Sequence, residues 1–126
     1  MRSLRAMSVT LLLGSAAIAA AGVAIGSCRA AAPVVDLVAR APEYGGWLPQ
    51  SIRIEGIRPV TLVIRNTDVV THGFYLPELG ISIQRLEAGE TRRLTLTPTR
   101  RGTFPFYCTV WCSVYHMQMR GELIIE

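Results

Sequence analysis

From Ser51 onward the chain repeats one local pattern: a short run that alternates polar and apolar residues, then a cluster of turn residues. SIRIEG (51–56) alternates as a half-buried strand does. PVTLVIRNT (59–67) puts Val60, Leu62 and Ile64 on one face. DVVTHGFYLPELG and ISIQRL follow, EAGE (87–90) turns the chain, and TRRLTLTPT carries Leu94 and Leu96 inward. RGTFPFYC (101–108) aligns Phe104, Phe106 and Cys108, and RGELIIE (120–126) is a final strand. Upstream, VVDLVAR (34–40) alternates only in part, and APEYGGWLPQ (41–50) is a loop rich in Gly and Pro. Strands recurring roughly every ten residues, with no sustained helical period, predict an all-β sandwich or small Greek-key barrel.

The N-terminus reads differently. MRSLRAMS carries Arg2 and Arg5, and Val9 to Ile25 holds no charge. A basic leader before an apolar run is an export signal. The run is short for a bilayer span, which needs roughly 20 apolar residues, so an uncleaved anchor is the alternative. It ends IGSC (25–28), which resembles the lipobox of bacterial lipoproteins. That resemblance implies cleavage before Cys28 and attachment of lipid to its sulfur. An ordinary signal peptide with an incidental Cys is the other reading. The expected organisation is a lipoprotein-type signal peptide or anchor at 1–27, a linker at 28–33 and one β domain at 34–126. Lipid on Cys28 would hold that domain at the extracytoplasmic, periplasmic face of a membrane.

Charge excludes one class of partner. Every basic residue is Arg, and beyond Cys28 there are 11 Arg against 9 acids. The densest basic tracts are the pairs Arg92-Arg93 and Arg100-Arg101. No nucleic-acid function is expected from such a balance.

The chemistry concentrates in YCTVWCSVYHMQMRG (107–121). Cys108 ends one strand; Cys112, His116 and Met119 follow before the last strand begins. A loop pinned at both ends by a sheet can aim several side chains at one point. Thiolate, imidazole and thioether together select copper, since soft sulfur suits Cu(I) and imidazole suits either oxidation state. The second His of the chain is His72, at the end of the PVTLVIRNT segment, and a sandwich can bring it to the same place.

C-x3-C-x3-H-x2-M, with an isolated upstream His in DVVTHGF, resembles the CuA cupredoxin domain. That domain occurs in subunit II of haem-copper oxidases (cytochrome c oxidase among them) and at the C-terminus of nitrous oxide reductase. The resemblance covers about residues 51–126 and implies a cupredoxin-like fold with a dinuclear centre of two copper ions. It implies that the sulfurs of Cys108 and Cys112 bridge the metals and that His72 and His116 each bind one. Met119 is implied as a weak axial ligand, and the Val110 backbone carbonyl as its counterpart on the other metal. Filled ligand positions favour electron transfer over catalysis. The implied function is a relay of single electrons from a cytochrome c or small copper protein to a terminal oxidase or reductase. In oxidase subunit II a Glu usually stands where this chain has Val110, and its side chain helps bind magnesium. Val lacks that group, which puts a magnesium site in doubt. HMQMRG is closer to the reductase version. The chain reads as a free-standing domain or one that docks on other subunits.

Other readings compete for the same residues. Copper delivery or storage for assembly of another CuA site is the alternative function, although a carrier that releases copper suits an exposed Met- and His-rich site better. A disulfide between Cys108 and Cys112 is the structural alternative, but it leaves His116 and Met119 unexplained. Met117 is expected in the core or exposed rather than as a ligand. Phe74, Phe104, Phe106, Tyr107, Trp111 and Tyr115 are available to surround the centre. Trp111 is expected to shield it or mark an electron entry point, and Arg120 to tune its field or cap a turn. Trp47, in GGW, is expected to pack on the sandwich end, or else to mark a docking patch.

Overall fold

In the computed structural model, which describes residues 31–126, nine strands form two sheets that share one core. The strands are β1 (Val34–Ala39), β2 (Trp47–Leu48), β3 (Ser51–Ile54), β4 (Val60–Asn66), β5 (His72–Leu76), β6 (Ile81–Leu86), β7 (Thr91–Leu96), β8 (Gly102–Tyr107) and β9 (Arg120–Ile125). One sheet runs β2-β1-β4-β7 and the other β3-β9-β8-β5-β6. Single 3-10 turns at Pro42–Tyr44, Pro77–Leu79 and His116–Gln118 are the only helical pieces among the described residues. The all-β expectation therefore holds for the described residues. The leader and Cys28 lie outside the described residues. Among the described residues no helix is long and apolar enough to cross a membrane.

Alternation explains which faces meet. Val60, Leu62 and Ile64 point from β4 into the core, opposite Phe104 and Phe106 of β8 and Leu123 and Ile125 of β9. Leu96 is buried, while Leu94 packs at the margin. Burial of this one apolar layer, at about 25 cal/mol per Å² removed from water, is the main force holding the sheets together. β1 pairs in parallel with β4, and β3 with β9; the other pairings are antiparallel.

Two features set up the end of the sandwich where the soft ligands lie. Asn66, buried at the end of β4, donates to the carbonyls of Val70 (2.8 Å) and Leu86 (2.9 Å) and accepts from the Asp68 N–H (2.9 Å). Its side chain thus satisfies the backbone of the loop before His72, as a buried amide must. Across the sandwich, Tyr107 pairs with Arg120, and the Cys108 N–H donates to the Met119 carbonyl at 3.0 Å. This pair of contacts closes the neck of the 108–119 loop.

Candidate metal centre

Each predicted ligand reaches this end by its own route. His72 opens β5, Cys108 leaves β8, Cys112 and Val110 ride the loop, His116 starts a 3-10 turn, and Met119 ends it. Gly73 lets the loop lie directly on β5, because a Cβ there would collide with Thr109 Oγ1 and crowd Val110 Cγ2 at 3.2 Å. The Gly73 N–H points at Cys108 Sγ, 3.4 Å away.

The donor atoms converge around two thiols. One ligand atom each from His72, Cys108 and Cys112 lies within 4.8 Å of the others. His72 Nδ1 is 3.7 Å from Cys108 Sγ, and the Val110 carbonyl oxygen is 3.3 Å from the same sulfur. His116 Nδ1 is 3.5 Å and Met119 Sδ 3.8 Å from Cys112 Sγ. Both cysteines are free thiols. His72, Met119 and Cys108 are buried, whereas Cys112 and His116 are half-buried.

Proton affinities follow from this crowding. Burial raises the Cys108 thiol, but hydrogen bonds with His72 and with the Gly73 and Val110 backbones bring it net below its ordinary value. Burial, then the neighbouring Cys108 charge, pushes the Cys112 thiol up to about 12. Burial alone would depress His72, yet hydrogen bonds to Cys108 and Asp68 raise it overall. Two thiols this close resist a second negative charge unless a cation joins them.

One contributor escaped the sequence reading. Asp68 Oδ2 lies 2.8 Å from His72 Nε2, which turns the ring so that Nδ1 faces the thiols. An acid four residues before the His was the available signal. Trp47 is wholly buried and donates its Nε1–H to the Met119 carbonyl at 3.3 Å. It packs edge-on against Phe74 and Phe106, so it supports the sandwich end and is no docking patch. The expected aromatic surround divides: Phe74, Phe104 and Phe106 are buried, but Tyr107, Trp111 and Tyr115 face solvent. Trp111 is 72% exposed, with its ring centroid 5.7 Å from that of His116. Met117 is 80% exposed.

Comparison with known proteins agrees with this fold. The family model for the cupredoxin-like domain matches residues 6–125, and the chain belongs to that family. The chain is 33% identical over 95 residues to the nitrous-oxide reductase of Ralstonia nicotianae, covering 73% of this chain and 14% of the reductase. It therefore spans about one-seventh of that relative's length. Among solved structures, a heme-copper terminal oxidase superposes with a TM-score of 0.63 at 20% identity, covering 79% of this chain and 68% of that one. The periplasmic domain of cytochrome oxidase subunit II from Bradyrhizobium japonicum gives a TM-score of 0.62 at 15% identity, covering 75% and 83%. At such identities these two superpositions speak for the fold.

Proposed function

We propose that this chain is an extracytoplasmic CuA electron-transfer domain, with His72, Cys108, Cys112, His116, Met119 and the Val110 carbonyl holding two copper ions. The observation that carries the reading is the convergence of four donors of N, S and O type on two thiols that lie within 4.8 Å of one imidazole. The donor set fits copper: soft sulfur from three side chains, imidazole from two, and a carbonyl. The raised Cys112 thiol fits as well: burial, then the neighbouring Cys108 charge, keeps it protonated, and a bound cation would offset both. When bound, such a copper pair supplies a one-electron couple.

The chain's own residues then limit what that couple does. Burial of His72, Met119 and Cys108 keeps water from half of the donors and opposes release of metal, which weighs against a delivery or storage role. Asp68 fixes one imidazole, and the aromatic trio of Trp47, Phe74 and Phe106 gives the loop a rigid floor. Preorganised donors change little between oxidation states, which suits electron transfer rather than substrate turnover. Partners would meet the centre on the loop's outer side, where Trp111, Val114, Tyr115 and Met117 are exposed and no charged residue stands between Arg101 and Arg120. That surface suits an apolar contact with a redox protein, such as a cytochrome c or small copper protein as donor and a terminal oxidase or reductase as acceptor. Export through the 1–27 leader and lipidation of Cys28 complete the proposal. Mass spectrometry of membrane-extracted protein tests them: an intact leader or an unmodified N-terminus rejects lipidation.

A reductive titration of the copper-loaded chain tests the function itself. One electron taken up per two coppers supports the proposal. One electron per copper contradicts it.

A further inference from the structure

We propose that Arg40 forms a carboxylate-binding site beside, and distinct from, the metal loop. The proposal does not depend on copper. A surface cavity of about 350 Å³ opens between the loop after β1 and the loop before β5. Arg40, Tyr44, Thr67, Asp68 and Val69 line it. Arg40 Nε is buried without any hydrogen-bond partner, the only such side-chain nitrogen or oxygen among the described residues. Nor does any carboxylate among the described residues come within ion-pair distance of its guanidinium. A buried donor on a charged group is costly to leave unpaired, so a missing acceptor is the natural explanation.

The position of the guanidinium is built into the loop. The Arg40 N–H donates to the Gly46 carbonyl (3.1 Å), and the Gly46 N–H returns to the Ala41 carbonyl (3.2 Å). Gly45 sits at φ 96°, and a Cβ there would stand 3.0 Å from Arg40 Nη2. A left-handed glycine thus both turns the chain and leaves room for the guanidinium.

The side chains of Asp68 and Thr67 in the wall are already engaged. Asp68 accepts the Val69 N–H on Oδ1 (2.7 Å) and holds His72 through Oδ2 (2.8 Å). The Thr67 hydroxyl donates to the Ala39 carbonyl (3.1 Å). Arg40 is left as the one group of the wall with a spare charged donor. Guanidinium forks match carboxylates in a planar, paired geometry that a point charge lacks. The mouth is flanked by exposed Tyr44 and Val69, which suits the aliphatic stem of an acid. The carboxylate comes either from an acidic side chain of a docked protein or from a free small acid.

The test is a titration of the isotopically labelled full chain followed by NMR, with acetate, with a blocked peptide containing one Glu, and with chloride at matched ionic strength. Saturable shifts of the Arg40 Nε–H and the Val69 amide with acetate or peptide, absent in Arg40→Gln and weakened several-fold in Arg40→Lys, support the site. Tighter binding of the peptide assigns the ligand to a protein side chain, and equal or tighter binding of acetate to a free acid. Shifts reproduced by chloride, or unchanged in Arg40→Gln, overturn the proposal. If Arg40→Gln fails to fold, Arg40→Lys decides: binding as tight as wild type contradicts the role of the guanidinium fork.

Discussion

Asp68 holds His72 by the nitrogen that faces away from the thiols: Oδ2 lies 2.8 Å from Nε2, while Nδ1 looks toward Cys108 Sγ at 3.7 Å. A carboxylate behind an imidazole fixes its tautomer and raises its basicity as a ligand. Asp68→Ala should lower copper affinity by about 10- to 100-fold, read by competition with a chromogenic chelator. Asp68→Asn keeps a hydrogen-bond acceptor without the charge, so its loss should be smaller. Equal affinity in Asp68→Ala and wild type would remove Asp68 from the centre.

The strand faces were legible because each is local. Val60, Leu62 and Ile64 declare one side of β4, and Phe104 and Phe106 one side of β8, by period alone. The loop ligands were legible because four of them fall within one short segment. Trp47 and Asp68 were harder. Both lie in stretches without period, and their value comes from contacts with Met119 and His72 that the folded chain creates. The parallel pairing of β1 with β4 and of β3 with β9 was likewise hidden, because register between distant strands leaves no local signal.

Gly121 follows the loop on β9 and has no room for a side chain. A Cβ there would collide with the Phe106 ring and stand 2.6 Å from the Gln50 carbonyl oxygen. Gly121→Ala should therefore destabilise the metal-free chain by about 1–3 kcal/mol, as overpacking does, measured by urea denaturation. An unchanged midpoint would contradict the packing described for β9.

The thiol pair predicts a pH effect in the metal-free, reduced chain. Cys112 titrates at about 12 when folded and at its ordinary value, 9.0, when unfolded. Raised folded affinity for a proton means that its contribution is fully present below pH 9 and is lost as pH climbs from about 9 to 12. Cys108 shifts the other way and partly offsets this trend. The informative quantity is the difference from Cys112→Ser, which should lose less stability than wild type over that range. Parallel curves for the two proteins would remove the Cys112 shift from the account.

Trp111 and His116 stand ring to ring at 5.7 Å on an uncharged, apolar rim. Trp111→Ala should bind the same amount of copper yet exchange electrons between copies several-fold more slowly, measured by NMR line broadening in mixed redox samples. Because no charge lies between Arg101 and Arg120, that rate should depend only weakly on ionic strength. A steep salt dependence would place the contact elsewhere.

The central claim is that two thiols, two imidazoles, Met119 and a carbonyl hold two metals as one electronic unit. Electron paramagnetic resonance of the copper-reconstituted chain, with copper counted per chain, tests it most directly. Two coppers with a seven-line hyperfine pattern, as one electron shared by two equivalent copper nuclei gives, is the predicted result. One copper with a four-line pattern would contradict it.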